Sequence, residues 1–512
     1  MKLDDAGAQP GAAESALASE IASPAPVGVP KGRSWIFAAA LSTIFMAAIE
    51  GTIVATAMPT IVGAPGGFEL FSWVFSAYLL TQAVTIPIYG RLADVYGRKR
   101  VLLVGIGLFL LGSVLSGFAW SMISLIAFRV IQATGAGALI PVAQTIVGDI
   151  YRGEQRARMQ GYVSSTFGSA AVIGPAIGSF LVAHVTWSMV FWVNVPLGIA
   201  AAVMLQLTLD EEVRKRPHRI DYLGAALMIA GTTSLMFALV QAAGLPRHTI
   251  IGLILASGVS FAALWIHESR TPEPMLPLKL FRNRIVASGN VVGLANGAIM
   301  MGIVAFLPAY MQGVMGSTAL LAGVALTAMS VAWPIGGLAG SRIMLWFSYR
   351  VAATIGSVVL LIGSVLMIAL DPAFGAAWPI AGALLVGLGL GVTNICFVVA
   401  VQANVEWAQR GIATSSTVFS RIVGQSLGTA VFAGMINVGL SGHAAAGSDI
   451  VVRLQRGLHQ AVERTDLDAA MGAFTHSLHN VYLINGLLAV VVLIAIQFLP
   501  AGLKLVQETG GR

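Results

Sequence analysis

The sequence predicts an all-α integral membrane fold, and three observations carry the prediction. Hydrophobic residues make up 57% of the 512 and charged residues only 10%, where a soluble domain carries about a quarter charged residues. Mean hydropathy is +0.84. Apolar stretches of about 20 residues, the length that crosses hydrocarbon as a helix, recur from Trp35 to Pro500 with short polar or charged loops between them. Lipid requires helices in such stretches because every backbone polar group must be satisfied internally, and the short alternating segments of a β-barrel are missing.

The first 34 residues, rich in Ala, Pro, Gly and Ser, form a disordered tail. They hold no apolar region with a cleavage site, and the first span is too long to be one, so no cleaved signal peptide is expected. Fourteen spans follow, at about 35 to 61, 70 to 90, 101 to 119, 122 to 147, 159 to 182, 186 to 207, 222 to 243, 249 to 266, 285 to 311, 317 to 340, 351 to 370, 377 to 401, 412 to 438 and 479 to 499. Their orientation follows from the loop cations. With the N-terminus cytoplasmic, 23 of the 29 Lys and Arg fall in cytoplasmic segments, and the even number of spans returns the C-terminus to the same side. The pI near 9.7 is therefore a positive-inside bias and implies no nucleic-acid partner. The single cysteine, Cys396, lies within a span and forms no intramolecular disulfide.

Within the first span, MAAIEGTIVATAMP places Glu50 in an otherwise uncharged apolar run. All other acidic residues, including Asp94, Asp149 and Asp221, fall in loops, tails or span ends. A charge at a helix centre costs roughly 2.5 to 3.5 kcal/mol on the insertion scale, and such residues face a bundle interior or wet cavity. A Glu reduces the cost by staying protonated, which suits it to loading and releasing a proton. The alternative is a static polar contact that only fixes packing. The candidate partner is Arg129, in AFRVIQATGAGAL of the fourth span. At about 1.5 Å per residue, Glu50 lies roughly 16 Å and Arg129 roughly 10 Å below the outer surface. Those depths are compatible with contact. Arg129 cannot deprotonate, so it would tune Glu50 and carry no proton itself.

GRLADVYGRKR, residues 90 to 100, joins the second and third spans. Gly90 and Gly97 permit a tight turn, Asp94 can cap or pair, and Arg98, Lys99 and Arg100 hold the loop on the cytoplasmic side. The segment resembles the signature loop of the major facilitator superfamily, with Val95 where a basic residue is common. In the fifth span, GSAAVIGPAIGS carries Gly174, Pro175 and Gly178 and resembles the antiporter motif of drug exporters in that superfamily, with Ser179 in place of a second Gly. Small residues there allow close helix approach, and Pro175 removes one backbone bond. WSMVFWVNVPLG, residues 187 to 198, and IEGTIVATAMP both resemble motifs of the fourteen-helix drug:proton antiporter branch, Glu50 standing where Asp is usual.

The resemblance implies two six-helix lobes, at 35–207 and 285–499, joined by a linker at 208–284 with two extra transmembrane helices, between a tail at 1–34 and a cytoplasmic C-terminus at 500–512. The lobes rock about a central site. The loop Asp, here Asp94, is implied to meet the N-terminus of the thirteenth span near Gly411, a fitting partner for an anion. The second lobe's own copy, GSRIMLWFSYR, keeps Gly340 and Arg350 but lacks the Asp.

The function implied is a proton-coupled multidrug exporter. With one deep carboxylate, lipophilic monocations or neutral amphiphiles fit better than dications. Candidate cavity residues are Tyr78, Gln82, Gln132, Asn290, Asn296, Tyr310, Gln312 and Asn394, whereas Met300, Met301, Trp333 and Phe397 read as packing. Arg421, deep in the thirteenth span, is a buried cation that binds an anionic headgroup or seals a gate. The external segment 441–478, with Val452, Leu458 and Val462 near one face, suggests an amphipathic surface helix. A lipid or metabolite exporter on the same scaffold is the second reading. A membrane enzyme or channel is disfavoured, because no metal-ligand spacing, catalytic constellation or repeated charge ring is present, and no phosphate-binding G-x-x-x-x-G-K-[ST] motif points to a nucleotide-driven pump. The expectation is therefore a monomer in a plasma membrane, a bacterial inner membrane by preference, with small amphiphiles, protons and membrane lipids as partners and neither cofactor nor metal.

Overall fold

A computed structural model describes residues 32–63, 71–211, 221–240, 245–271, 274, 278–440 and 464–499. These residues form helices and no strands. The long helices are α1 (Arg33–Gly63), α2 (Phe71–Tyr96), α3 (Arg98–Gly117), α4 (Met122–Ile150), α5 (Gly153–His184), α6 (Asn194–Thr208), α7 (Tyr222–Val240), α8 (Arg247–Glu268), α9 (Arg284–Val304), α10 (Ala319–Trp346), α11 (Tyr349–Ile368), α12 (Ala377–Asn404), α13 (Arg410–Leu440) and α14 (Arg464–Ile496). Twelve of the described helices, α6 counted with the turn before it, are long and apolar enough to cross a membrane. The two outside that set are α2 and α13.

Prolines account for two departures from the expected spans. The sixth is not continuous: a single turn, Met189–Trp192, precedes α6. Pro196 has no N–H to donate to the Trp192 carbonyl, so the helix restarts at Asn194. The ninth ends at Val304 and a separate short helix, Leu307–Gly313, follows. Pro308 likewise has no donor for the Val304 carbonyl. Tyr310 and Gln312 therefore stand on this short helix and not on α9.

Other departures are extensions. α2 runs through Tyr96, which puts Asp94 and Gly90 on the helix. The loop shrinks to Gly97, whose φ of 94° favours glycine. Gly90 does not turn the chain. It lets α2 approach α13, since a Cβ there would meet the Ser415 side chain and the Gly411 carbonyl. α14 begins at Arg464, so residues 464–478 continue the last helix instead of forming a separate surface helix. Val452, Leu458 and Val462, the tail 1–31, and Arg214, Lys215, Arg216 and Arg219 lie outside the described residues.

Apolar packing divides along the chain. One set of buried residues runs from Ile36 to Leu209 and draws on α1 to α6. Another runs from Leu280 to Leu499, with Ala157 of α5 added. α7 and α8 pack on each other, and Met236 of α7 joins Ala83 of α2 and Val423 of α13. The helix ends bearing Arg33, Arg98, Arg152 and Arg410 gather at one end of the bundle, here called the basic end. Arg98 and Lys99 stand in the first turn of α3, where cations oppose the helix dipole. Glu211 offsets this by accepting from their backbone N–H groups at 2.9 and 2.8 Å.

Candidate functional site

Five buried side chains, Glu50 among them, close a ring. Arg129 of α4 pairs with one Glu50 oxygen, and the Asn194 amide donates to the other at 2.5 Å. Arg129 also donates to Gln132 Oε1 at 2.6 Å, and Gln132 donates to Ser113 Oγ at 3.1 Å. Asn194 donates to the same Ser113 oxygen at 3.3 Å, completing the circuit. None of the five is more than 1% exposed. The Tyr78 ring lies 4.0 Å from the guanidinium carbon of Arg129, a cation–π contact strengthened by desolvation.

Local sequence sets each position. A Cβ at Gly112 would meet the backbone of Gln132, so the missing side chain lets α3 lie close enough to α4 for Ser113 to reach Gln132. Ser113 also donates to the Phe191 carbonyl at 2.8 Å, and the Trp192 indole donates to the Val114 carbonyl at 3.2 Å. The interrupted turn before α6 is thereby tied to α3, and Asn194 opens α6 facing Glu50. Gly174 of α5 packs against the Thr52 side chain, and Thr52 donates to the Ala170 carbonyl at 3.2 Å. Gly174, Pro175 and Gly178 thus lie on the helix that flanks the Glu50 segment of α1.

Both Glu50 oxygens face donors, as a carboxylate requires. Its charge is matched by Arg129, which suits a dry interior where an unpaired ion is costly. The Asn194 carbonyl oxygen has no partner. Turning that amide over would present an acceptor to a protonated Glu50. The arrangement therefore accommodates either state, at the cost of reorganising one side chain.

At the basic end a second polar cluster joins the two packing sets. Asp94 accepts from the Gly411 and Ile412 N–H groups, each at 2.9 Å, and from Arg98 at 3.0 Å. This is the contact with the start of α13 that the family resemblance implies. Arg98 donates to the Trp407 carbonyl at 2.6 Å and stacks 3.7 Å from the Trp407 ring, while Asp149 lies between Arg98 and Arg410. Further inside, Gln160 donates to Gln402 at 3.0 Å, and both donate to the Gln144 carbonyl at 3.1 Å. These contacts tie the two packing sets together at the basic end.

Next to these contacts lies a small cavity of about 30 Å³, walled by helices from both sets and including Gln144, Phe167, Asn296, Trp333, Asn394 and Arg421. Of the eight expected cavity residues, only Asn296 and Asn394 stand on this wall. Tyr78 and Gln132 belong to the Glu50 site, and Gln82 is buried on α2 beside Tyr78. Asn290 accepts from Ser420 at 3.0 Å, Tyr310 is part of the apolar packing of the second set, and Gln312 is on the short helix. Conversely, Trp333 and Phe397, read as packing, line the cavity. The sequence reading named neither Ser113 nor Asn194, although Asn194 sits inside the WSMVFWVNVPLG stretch that it quoted.

Comparisons with known proteins agree with this architecture. The family model described as Major Facilitator Superfamily matches residues 40–429. The chain is 33% identical over 486 residues to multidrug resistance protein 3 of Bacillus subtilis, covering 91% of this chain and 94% of that protein. It is also 33% identical over 408 residues to the multidrug transporter protein MdtP of the same organism, covering 79% and 75%. Among solved structures, the FucP transporter in the outward conformation matches with a TM-score of 0.57 at 15% identity, over 90% of this chain and 98% of that one.

Proposed function

The chain belongs to the major facilitator superfamily, a family of multi-pass membrane transporters, and from that premise we propose that it is a proton-coupled exporter of amphiphilic small molecules working by alternating access. The observation that carries the reading is the dry Glu50–Arg129 pair within its five-residue ring. A carboxylate so placed exchanges a proton only when the surrounding helices admit water. Protonation then removes the charge that holds Arg129 and reorganises Asn194, which links proton loading to helix movement.

The efflux function is supported by the two Bacillus subtilis relatives, whose names describe multidrug resistance and multidrug transport. The fourteen long helices among the described residues and the Glu50 motif suit the drug:proton antiporter branch. In this reading the halves 35–207 and 285–499 are rocking lobes, 208–284 carries the two additional helices, and the basic end is cytoplasmic by the positive-inside rule, in a bacterial inner membrane. Closure by Asp94 and the glutamine clasp then corresponds to a state shut toward the cytoplasm. The protein needs no cofactor and acts as a monomer. Of the two substrate classes suggested by the sequence, neutral amphiphiles suit the cavity better than monocations, because the wall carries Arg421 and no carboxylate.

Transport of ethidium and of neutral N-phenyl-1-naphthylamine in proteoliposomes under an imposed pH gradient tests the proposal. Gradient-driven movement of the neutral probe should exceed that of ethidium and fall about tenfold or more in Glu50→Gln, one decade being about 1.4 kcal/mol of barrier. Equal rates in parent and variant would refute Glu50 as the coupling group. Movement unaffected by the gradient in the parent would refute proton coupling.

A further inference from the structure

We propose that the cavity between the two halves is a binding site for the anionic head of an amphiphile, with Arg421 as the residue that receives it. This deepens the transport reading by naming a substrate class and rests on it.

Arg421 is a fixed cation, because a guanidinium does not deprotonate in proteins. Among the described residues no carboxylate pairs with it, and its guanidinium makes no hydrogen bond. Its guanidinium carbon lies 5.9 Å from the Phe167 ring. The other arginines placed deep in the described bundle contrast with it. Arg129 has Glu50, Arg98 has Asp94 and Asp149, and Arg156, without a carboxylate, donates to the Tyr151 carbonyl at 3.0 Å.

Arg421 also has no part in closing the basic end, which is held by Asp94, Arg98, Asp149, Arg410 and the Gln160–Gln402 clasp. A gate role is therefore already filled. The position of the residue has been secured at close quarters: a Cβ at Gly297 of α9 would meet the Arg421 carbonyl. An intramembrane cation with no protein partner, facing a cavity, marks a ligand path.

The wall supplies the rest of an amphiphile site. Phe167, Trp333 and Phe397 offer flat apolar surface, while Gln144 and Asn394 bring amide groups to the same wall. No Asp or Glu lines the cavity. A guanidinium presents a planar fork that matches the oxygens of carboxylate, sulfonate or phosphate. The ligand chemistry is therefore an oxyanion on an aromatic or aliphatic body. It arises from either a free amphiphile or an anionic lipid headgroup.

Gln144 lies fifteen residues beyond Arg129 on α4, about 22 Å along the helix. The Gln144 face of the cavity and the Glu50 ring are therefore well separated on that helix, so binding can be measured without engaging the proton site.

The experiment compares equilibrium binding of 8-anilinonaphthalene-1-sulfonate and N-phenyl-1-naphthylamine to the purified full chain, with no gradient. The two probes share one aromatic body and differ in the sulfonate. The parent should bind the sulfonate the more tightly. Arg421→Gln should weaken the sulfonate about tenfold, as expected for loss of one charge-assisted contact, and leave the neutral amine within about threefold. Arg421→Lys, which keeps the charge without the fork, should fall between the two.

Equal affinities of the parent for both probes would overturn the proposal, even if Arg421→Gln fails to fold. An unchanged sulfonate affinity in a folded Arg421→Gln would overturn it as well. Soluble dihexanoyl phosphatidylglycerol is then added as competitor, with dihexanoyl phosphatidylcholine as control. Displacement by the first alone assigns the site to lipid headgroups, and no displacement by either assigns it to free amphiphiles. Because no gradient is imposed, this binding can fail while gradient-driven transport stands, and the reverse outcome is equally visible.

Discussion

Asp94 of α2 receives the backbone N–H groups of Gly411 and Ile412, so a carboxylate from the first half of the chain caps the first turn of α13 in the second. The helix dipole favours an anion at this position, and Arg98 holds the same carboxylate from the side. One residue thus couples the two halves at the basic end. Its absence from the matching segment GSRIMLWFSYR leaves no equivalent there: that stretch continues α10 as far as Trp346, and Gly340 packs on Val392 and Ile395 of α12.

Asp94→Asn removes the charge and keeps the shape, which should weaken closure by about 1 kcal/mol. With Cys396 replaced by Ser and spin labels on cysteines introduced at exposed Arg152 and Glu406, electron–electron resonance should show a longer-distance population that is small in the parent. An unchanged distribution would mean that the cap contributes nothing to closure.

Gly411→Ala tests the same contact by volume. The added Cβ would meet the Asp94 carboxylate and the Gly90 carbonyl, and backbone on one side leaves little room to yield. The open population should rise on the order of tenfold, equivalent to about 1.4 kcal/mol, by the same distance measurement.

Arg129→Gln leaves Glu50 buried without its cation. Breaking one member of a buried pair costs about 3 to 5 kcal/mol, so thermal unfolding in detergent should shift well below the parent. The double variant Glu50→Gln with Arg129→Gln should be closer to the parent than Arg129→Gln alone. Additive losses would show that the two residues do not interact.

Asn194→Ala takes away the donor on the second Glu50 oxygen and the amide that can turn to meet a protonated carboxyl. Gradient-driven transport should fall about tenfold, in keeping with a hydrogen bond to a charged group. Probe binding without a gradient should be unchanged. A parallel loss of both would mark Asn194 as a structural residue only.

How much of this was legible can be judged on particular residues. Glu50 stood out because charge is scarce in lipid-spanning sequence, and Arg129 because its depth in a helix of opposite direction matched. Asp94 and the start of α13 could be paired through the family motif. Ser113 and Asn194 gave no such signal, since a Ser and an Asn in an apolar span are unremarkable until a carboxylate and an amide are found beside them. The cavity list has the same root in reverse. Polarity alone grouped eight residues that the packing distributes among different surroundings.

The sequence by itself determined the solvent, the helical class, the approximate spans and the residues whose burial needs compensation. Those are sums over local windows or properties of single side chains, and they do not depend on which helix lies beside which. The tertiary structure decided the ring around Glu50, the break that aims Asn194, and the place of Arg421 on a cavity wall without an acid. Each of those depends on helix rotation and close approach at sites such as Gly112 and Gly297, where two backbones meet because no side chain keeps them apart. No one-dimensional pattern carries that information, because both partners in each contact are distant in the chain.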